Sequence, residues 1–312
     1  MKQEQKPLKI VFFGNECLAT GTTTKAPVLS ALHEHGHDIK LVVVNTHQVT
    51  SRQNRSPEMI DIAGKLDLPI ATPQKLDEIA DTIRALKPDI AVLAAYGRII
   101  PQSIIDLFPH GIINIHPSLL PKYRGSTPIE TALLDGECET GVTIMQVTAA
   151  MDAGPIYAQA KFAVDNNTTK QQLADQLLNI GRDLIIDLLP KIVAGTSTPK
   201  PQDDSQATYT KLIKKSDGRL DSAKSAQQLA REVIAYASWP TSYFDYNHGL
   251  IKILEAKASN FTCPPDELAK HEGKLYFGCN KGSLQILRRQ VAGKTPVLAL
   301  DFINAQRDLK AY

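Results

Sequence analysis

The sequence predicts an α/β protein, with a doubly wound, mostly parallel sheet followed by a small β-rich domain. Apolar strand-like runs alternate with helical stretches over the first two thirds of the 312 residues, which is typical of parallel sheets. A long amphipathic helix comes next, and after it a segment rich in Pro, Ser and Asp. Short strand-like runs separated by turns follow. We therefore expect a first domain at 1–194, a linker at 195–207 and a second domain at 208–312.

The predicted strands of the first domain are short and apolar. They cover residues 9–13, 39–44, 90–95, 111–116 and 142–147. The helices predicted between them cover about residues 26–34, 57–65, 76–86 and 127–134. Because the run at 90–95 is apolar throughout, it fits a central strand covered on both faces. In such sheets, ligands bind beyond the carboxyl ends of the strands.

The long helix is predicted over 169–194, where Leu173, Leu177, Leu184 and Leu188 follow helical spacing. In the second domain, one helix is expected at 225–236. The strands expected after it cover residues 241–246, 250–256, 274–277 and 283–291. Short strands in this number within about 75 residues indicate a small barrel, of the oligonucleotide-binding type. Trp239, next to Pro240, is expected to anchor the core of this domain, with stacking on a nucleic-acid base as the less favoured alternative.

The composition is that of a globular protein, with 43% hydrophobic and 22% charged residues. No apolar run approaches the ~20 residues that a membrane helix needs, and the polar N-terminus lacks a signal-peptide pattern. We therefore expect a cytoplasmic protein without membrane contact, and a monomer. The four cysteines are scattered without a Cys-x-x-Cys pair, so neither a metal site nor a redox motif is predicted.

The net charge of +2 is distributed unevenly along the chain. Residues 208–312 contain 16 Lys and Arg against 10 Asp and Glu, whereas residues 1–207 carry a net negative charge. A basic C-terminal third indicates a polyanionic partner, although a solubilising surface would have the same composition.

Polar side chains mark the carboxyl end of the strand at 111–116. Asn114 and His116 are two residues apart, so they lie on the same face of the strand. Asp152 follows another predicted strand in a Met-Asp-Ala-Gly loop. An amide that can hold an oxyanion, a titratable ring and a carboxylate that can orient it would make an acyl-transfer site. Spacing alone leaves a structural and a catalytic role equally open.

The run Asn-Ile-His-Pro-Ser-Leu-Leu-Pro-Lys-Tyr-Arg-Gly at 114–125 resembles the signature of formyltransferases that use 10-formyltetrahydrofolate. Ala-Tyr-Gly-Arg-Ile-Ile-Pro at 95–101 and Met-Asp-Ala-Gly at 151–154 also match. Weaker matches follow in the second domain, among them Tyr-Thr-Lys-Leu at 209–212 and Trp-Pro-Thr-Ser at 239–242. Within that superfamily the chain is similar to methionyl-tRNA formyltransferases. The resemblance implies a Rossmann-like formyltransferase fold with an OB-like C-terminal domain.

The resemblance implies roles for the three polar residues. Asn114 and His116 would donate to the oxyanion that forms when the methionyl amine attacks the formyl carbon, and Asp152 would favour the charged form of His116. The proton acceptor stays open among His116, Asp152 and a relayed water. The implied cosubstrate is 10-formyltetrahydrofolate, the implied partner is initiator methionyl-tRNA in translation initiation, and no metal is implied.

Further site residues follow from the same resemblance. Those expected to bind folate are Ser118, Leu119, Leu120, Pro121, Tyr96, Gly97 and Ile99. Those expected to contact tRNA are Arg52, Arg55, Lys214, Lys215, Arg219, Arg288 and Arg289, with Lys211 as a further candidate. Phosphate contacts would add affinity, while identity readout needs base contacts.

The chain also departs from the family pattern at two places. The loop at 45–57 is shorter and lacks a Gly-Arg-Gly-Lys-Lys type of run. The segment after the first strand is longer, with Thr-Gly-Thr-Thr-Thr at 20–24, and we expect it to be a surface extension. Its glycines do not form Gly-x-Gly-x-x-Gly, so a dinucleotide site is not predicted.

Three rival functions remain open at this point. The first is a formyltransferase acting on an amino sugar nucleotide or on glycinamide ribonucleotide, the latter disfavoured by the second domain. The second is a formyltetrahydrofolate hydrolase, which would have no use for a basic barrel. The third is a non-catalytic tRNA-binding protein, against which Asn114, His116 and Asp152 argue.

Overall fold

A computed structural model describes residues 6–15, 18, 20–45, 58–165, 168–246, 249–305 and 310–311. The chain forms two compact units. Unit 1 comprises residues 1–129 and 138–211, and unit 2 comprises residues 130–137 and 212–312. The segment at 195–207, predicted as a linker, therefore belongs to unit 1. The reason is that its backbone and side chains are hydrogen-bonded to strands and loops of that unit, as Lys200 is to Ile156.

Unit 1 is built on a sheet whose strand order, among the described residues, is β3-β2-β1-β4-β5-β6-β7. The strands are β1 (Lys9–Gly14), β2 (Asp38–Val44), β3 (Ile70–Ala71), β4 (Ile90–Ala94), β5 (Ile112–His116), β6 (Glu139–Gln146) and β7 (Ile156–Ala163). The pairs from β3 to β5 are parallel. β6 and β7 then extend the sheet antiparallel. The mostly parallel sheet is thus confirmed, while β7 and the direction of β6 were not predicted, because alternation with helices does not fix the direction of a strand.

The α-helices of the first 193 residues are α1 (Pro27–Glu34), α2 (Glu58–Lys65), α3 (Ala80–Leu86), α4 (Gln102–Ile105), α5 (Pro128–Asp135) and α6 (Lys170–Val193). Most of α5 belongs to unit 2. α6 begins at a capping box, in which Thr169 and Gln172 bond each other's backbone N–H groups. It packs on β5 and β6. Gly181 makes this possible, because a Cβ there would lie 2.4 Å from the Cγ2 of Ile115. β5, the strand that carries the site, is thereby held closely from one face.

The Thr-rich segment at 20–24 is not a surface extension, contrary to the prediction. Thr20, Thr22 and Thr24 are all buried. Lys170, itself only 2% exposed, donates from Nζ to Oγ1 of Thr20 at 3.0 Å. The segment is therefore anchored on the first turn of α6, and the hydroxyl of Thr20 supplies a polar partner that a buried ammonium group needs.

Unit 2 contains a mainly antiparallel sheet, with the order β14-β10-β11-β12-β9-β8 and β13 beside β12 among the described residues. The strands are β8 (Ser242–Tyr246), β9 (Gly249–Ser259), β10 (Leu268–His271), β11 (Lys274–Gly278), β12 (Ser283–Val291), β13 (Val297–Leu298) and β14 (Lys310–Ala311). Helices α7 (Ala226–Ala235) and α8 (Ala299–Ala305) accompany this sheet. They share an apolar core with it that includes Leu229, Ile253, Phe277 and Phe302, which confirms the small β-rich domain.

Trp239 does not anchor this core, contrary to the prediction. Its side chain is 41% exposed. It precedes Pro240 through a cis peptide bond, and the flanking residues Ser238 and Thr241 have positive φ angles. The indole therefore lies at the protein surface, in the turn that precedes β8.

Candidate active site

β5 brings the two predicted polar residues to the end of the sheet. Asn114 pairs with Leu93 of β4 and Met145 of β6, and His116 pairs with Thr143 of β6. Both side chains are buried, at 8% and 4% exposure. Because they are two positions apart in an extended strand, they lie on one face, as predicted.

The ring of His116 has two distinct environments. Nε2 lies 3.0 Å from the carbonyl oxygen of Tyr123. A carbonyl can only accept, so Nε2 carries a hydrogen and donates it. Nδ1 faces Asp152, 3.7 Å from Oδ2, which is longer than a direct hydrogen bond. Nδ1 is therefore the ring atom that is free to take or give a proton.

Asp152 is held in an unusual backbone conformation. Its φ is 49°, in the left-handed region that Asp tolerates better than most residues. Oδ2 accepts a hydrogen bond from the backbone N–H of Gly125 at 2.8 Å. The side chain is 19% exposed. The carboxylate is thus fixed on one side and accessible on the other.

The amide of Asn114 has no hydrogen-bond partner within the part of the chain that the structure describes. Buried amides are normally hydrogen-bonded. An amide N–H that is nearly buried and unengaged can donate to an oxygen that gains negative charge during a reaction. Asn114, His116 and Asp152 are therefore an arrangement capable of acyl transfer.

The loop at 121–125 connects the histidine to the aspartate. Tyr123 supplies the carbonyl that holds His116, and Gly125 supplies the N–H that holds Asp152. Gly125 has φ 116°, and a Cβ there would lie 2.4 Å from Oγ1 of Thr210. Only glycine fits this position, so the loop can turn its N–H toward the carboxylate.

Sequence reasoning missed the residues that hold this loop. Arg124 is 2% exposed and donates to Gln202, Asp204 and Tyr209. Gln202 in turn donates to the carbonyl of Asp152. The sequence signals were that Arg124 lies within the 114–125 signature and Tyr209 within the weaker match at 209–212, whereas nothing marked Gln202 or Asp204.

The turn predicted to bind folate is also fixed from inside. Thr143 Oγ1 donates to the carbonyl of Ser118 at 2.7 Å and accepts from the N–H of Leu120 at 3.1 Å. Gln159 donates to the carbonyl of Leu120 at 2.8 Å. Thr143 and Gln159 are neighbours across β6 and β7. The turn is therefore a rigid platform rather than a free loop.

The residues predicted for folate differ in exposure. The side chains of Ser118, Leu120 and Tyr96 are buried, and Tyr96 packs edge-on against Phe13. Burial raises the pKa of the Tyr96 hydroxyl. Leu119 and Pro121 are half-buried, Gly97 is exposed, and Ile99 is 85% exposed. Contacts from Ser118, Leu120 and Tyr96 would have to come from their backbone.

Comparison with known proteins decides the family. The formyl transferase family model matches residues 8–189, and the model of the formyl transferase C-terminal domain matches residues 212–307. The methionyl-tRNA formyltransferase of Thermodesulfovibrio yellowstonii is 34% identical over 302 residues, which is 96% of both chains. That of Chloroflexus aurantiacus is 36% identical over 298 residues, covering 93% of this chain and 94% of the relative. The chain belongs to the methionyl-tRNA formyltransferase family.

Solved structures show the same fold at lower identity. HypX from Aquifex aeolicus in complex with tetrahydrofolic acid superposes with a TM-score of 0.68 at 17% identity. The match covers 98% of this family member and 48% of HypX, so the chain spans about half of that protein. WlaRD, a sugar 3N-formyl transferase, has a TM-score of 0.66 at 20% identity, covering 92% and 99%.

In this member of the family, the predicted tRNA residues of unit 2 have different surroundings. Lys214 and Lys215 are exposed. Arg219 pairs with Asp245 at 3.1 Å, and Arg288 pairs with Glu255 at 3.3 Å. Arg289 differs from the prediction: it is 7% exposed, since it lies over the ring of Phe302 in the core. Arg52 and Arg55 lie outside the described residues.

Two kinds of feature are absent from the described part of the chain. No group of three or more His, Cys, Asp and Glu side chains there could hold a metal ion. None of the described helices combines the length and the apolar character needed to cross a membrane.

Proposed function

We propose that this protein transfers the formyl group of 10-formyltetrahydrofolate to the amino group of methionyl-tRNA, the initiator form in translation initiation. The observation that carries the proposal is the similarity to methionyl-tRNA formyltransferases, which extends over 93–96% of this chain and through both units. The grouping of Asn114, His116 and Asp152 supports the chemical part of the proposal.

The reaction forms one bond from nitrogen to carbon and breaks another. The neutral methionyl amine attacks the formyl carbon, and the carbonyl oxygen becomes an oxyanion that the amide of Asn114 stabilises by donating a hydrogen bond. The amine then loses a proton and N10 of the folate gains one as the bond from carbon to N10 breaks. The products are formylmethionyl-tRNA and tetrahydrofolate.

His116 and Asp152 supply the proton path in this proposal. Since Nε2 of His116 is engaged by Tyr123, Nδ1 is the atom that exchanges a proton with the substrates. Asp152, 3.7 Å away, stabilises the imidazolium that forms. An α-amino group has a pKa of about 8 in model compounds. Deprotonation therefore needs little help near neutral pH, and positioning supplies much of the rate.

The folate is proposed to lie on the turn at 118–121 and along the segment at 96–99. The turn offers backbone groups in a fixed geometry, because Thr143 and Gln159 hold it from below. Ile99, which is 85% exposed, offers an apolar contact for a flat aromatic ring. An Ile99→Ser variant tests this part, with a higher KM for the folate and an unchanged KM for tRNA as the expected result.

A formyl-transfer assay with four acceptors tests the function. The acceptors are methionyl-tRNA, an amino sugar nucleotide, glycinamide ribonucleotide and water, each with 10-formyltetrahydrofolate as donor. We expect transfer to methionyl-tRNA. Transfer to the sugar nucleotide but not to charged tRNA would overturn the proposed acceptor, and release of formate alone would make the protein a hydrolase.

The tRNA is proposed to contact exposed cationic residues of unit 2, with Lys214 and Lys215 as the test pair. Phosphate contacts release counterions, so binding weakens as salt rises. Replacing both residues with Ala should weaken tRNA binding and reduce the slope of log K against log salt by about 1–2. The matched control replaces Lys257 and Lys281, two exposed lysines of unit 2 outside the candidate set. Equal slopes in the two double variants would remove Lys214 and Lys215 from the interface.

A further inference from the structure

We propose that Arg124 and Gln202 are positioning residues that hold Asp152 in its reactive place. Residues 202–210, which contain Gln202, are here named the clamp segment. In this proposal the clamp segment supports the active site and is not merely a linker between two domains. The inference rests on the proposed function, because it assigns these residues to formyl transfer. It is carried by hydrogen bonds within unit 1.

Gln202 holds two backbone carbonyls of the loop that begins at Asp152. Its Nε2 donates to the carbonyl of Asp152 at 2.8 Å and to the carbonyl of Gly154 at 2.7 Å. The loop at 152–154 thereby keeps the left-handed conformation of Asp152, which an isolated non-glycine residue adopts only at a cost. Moving the two carbonyls would move the carboxylate relative to His116.

Arg124 fixes the orientation of that glutamine. The side-chain Oε1 of Gln202 accepts from Nε of Arg124 at 3.0 Å and from Nη2 at 2.7 Å. A flipped amide would set its NH₂ against the guanidinium donors and its oxygen against two carbonyls. Gln202 therefore has one stable orientation, and every hydrogen-bonding position of its amide is used.

The clamp segment holds the opposite side of the site as well. Thr208 Oγ1 accepts from the N–H of Tyr123 at 2.8 Å, and Thr208 also accepts from the N–H of Arg124 through its carbonyl at 2.9 Å. Thr210 donates from its N–H to the carbonyl of Arg124 at 2.8 Å. This stretch of loop contains the Tyr123 carbonyl, which accepts a hydrogen bond from His116, and the Gly125 N–H, which donates to Asp152.

One segment of chain thus determines the distance between the two proposed catalytic residues. It acts on Asp152 directly through Gln202, and on both Asp152 and His116 through the loop at 121–125. Misplacement of a reacting group by about 1 Å can cost on the order of 10²-fold in rate. A loss of clamp contacts should therefore appear in kcat, while substrate affinity is maintained.

The test compares the same chemical change inside and outside the clamp segment. Gln202→Glu keeps the acceptor for Arg124 but sets a carboxylate oxygen against the carbonyls of Asp152 and Gly154. Gln227→Glu is the matched control, because Gln227 is exposed on α7 and lies outside the clamp segment. We expect Gln202→Glu to lower kcat by about 10- to 50-fold with both KM values within about twofold, and Gln227→Glu to resemble the wild type.

A double variant separates positioning from a general structural effect. If Gln202 acts through Asp152, adding Gln202→Glu to Asp152→Ala should not lower kcat further, since residues that act as a unit are non-additive. Gln202→Met, which removes the hydrogen bonds without adding a charge, gives a second variant should Gln202→Glu fail to fold. Arg124→Lys keeps the charge but lacks the guanidinium fork that donates to Gln202 from two nitrogens, and it should lower kcat in the same way.

The outcomes distinguish this inference from the proposed function. The variants are measured with whichever acceptor the wild type formylates, so a different acceptor overturns the proposed acceptor alone. Wild-type kcat in both Gln202 variants, or full additivity with Asp152→Ala, would overturn the positioning role while formyl transfer stands. Failure of the wild type to formylate any acceptor would overturn both.

Discussion

Two of the arginines that the structure describes are almost fully buried, and their surroundings are opposite. Arg124 in unit 1 is 2% exposed and donates to Gln202, Asp204 and Tyr209. Arg289 in unit 2 is 7% exposed, with Nε and Nη1 unpaired among the described residues, and its guanidinium lies 3.7 Å from the centroid of the Phe302 ring.

The pKa values of the two groups move in opposite directions. Burial lowers the pKa of Arg289. Burial also lowers the pKa of Arg124, but its hydrogen bonds and charge interactions with Asp204 and Tyr209 outweigh burial and raise the pKa overall. A buried guanidinium with a full set of hydrogen-bond partners, such as that of Arg124, therefore fixes the positions of the groups around it. A buried guanidinium that lies over an aromatic ring, such as that of Arg289, mainly contributes packing.

The largest expected effect concerns the site that Arg124 supports. Asp152→Asn keeps an oxygen that can accept from Gly125 and removes the negative charge facing His116. We expect kcat to fall by ~10² or more, because the imidazolium and the proton path lose their partner, while the melting temperature changes little. His116→Ala should lower kcat by a similar factor, and both variants should retain tRNA binding.

The control for this prediction is Asp187→Asn, the same change at an exposed position of α6. Steady-state kinetics and thermal melts of the three variants check it. Near-normal turnover in Asp152→Asn or His116→Ala would refute the roles proposed for these residues, and would leave Arg124 supporting a loop without catalytic function.

The next prediction concerns the stability contributed by the two arginines, each of which is replaced by Met in a separate variant. Arg124→Met leaves Gln202 and Asp204 without their donor, and should destabilise the protein by about 1–3 kcal/mol. Arg289→Met removes two unpaired donors and retains contact with Phe302, so it should be neutral or stabilising by up to about 2 kcal/mol, since the lost cation–π attraction offsets part of the gain.

Urea unfolding of the two variants beside the wild type measures this difference. Formyl transfer should fall in Arg124→Met and stay normal in Arg289→Met. If Arg289→Met destabilised the protein as much as Arg124→Met, the proposed difference between the two sites would be refuted. The charge of Arg289 would then contribute to stability as that of Arg124 does.

The sequence predicted the strand that carries the candidate site more clearly than the residues that support this site. Period-two spacing placed Asn114 and His116 on one face of β5, and the order of apolar runs predicted the parallel part of the sheet. Gln202 could not be predicted, because its partner Asp152 is 50 residues away and its own segment has the composition of a linker. The burial of Arg289 was hidden for a similar reason: Arg288 and Arg289 are adjacent in β12, and sequence alone does not say which one faces the core.

The smallest expected effect concerns a second buried charge of unit 2. Glu232 is 7% exposed; Oε1 accepts from Nζ of Lys224, and Oε2 has no partner among the described residues. Burial raises the pKa of Glu232, and Lys224 opposes part of this rise while Asp221 adds to it. Because the folded pKa lies above the unfolded value, the folded state binds more protons. The resulting stabilisation is present at low pH and is lost as pH rises above about 4.5 through the folded pKa.

Glu232→Gln should remove this dependence. Relative to the variant, the wild type should lose stability between about pH 4.5 and the folded pKa, and the difference should then level off. Urea midpoints from pH 4 to 8 check the curve, with Glu255→Gln as a control for a carboxylate that is 56% exposed and paired with Arg288. If the stability difference between wild type and Glu232→Gln stayed constant across this range, burial would not disfavour the charged form of Glu232. Glu232 would then resemble Arg124, whose partners compensate for burial, and of these three buried charges only Arg289 would lack such compensation.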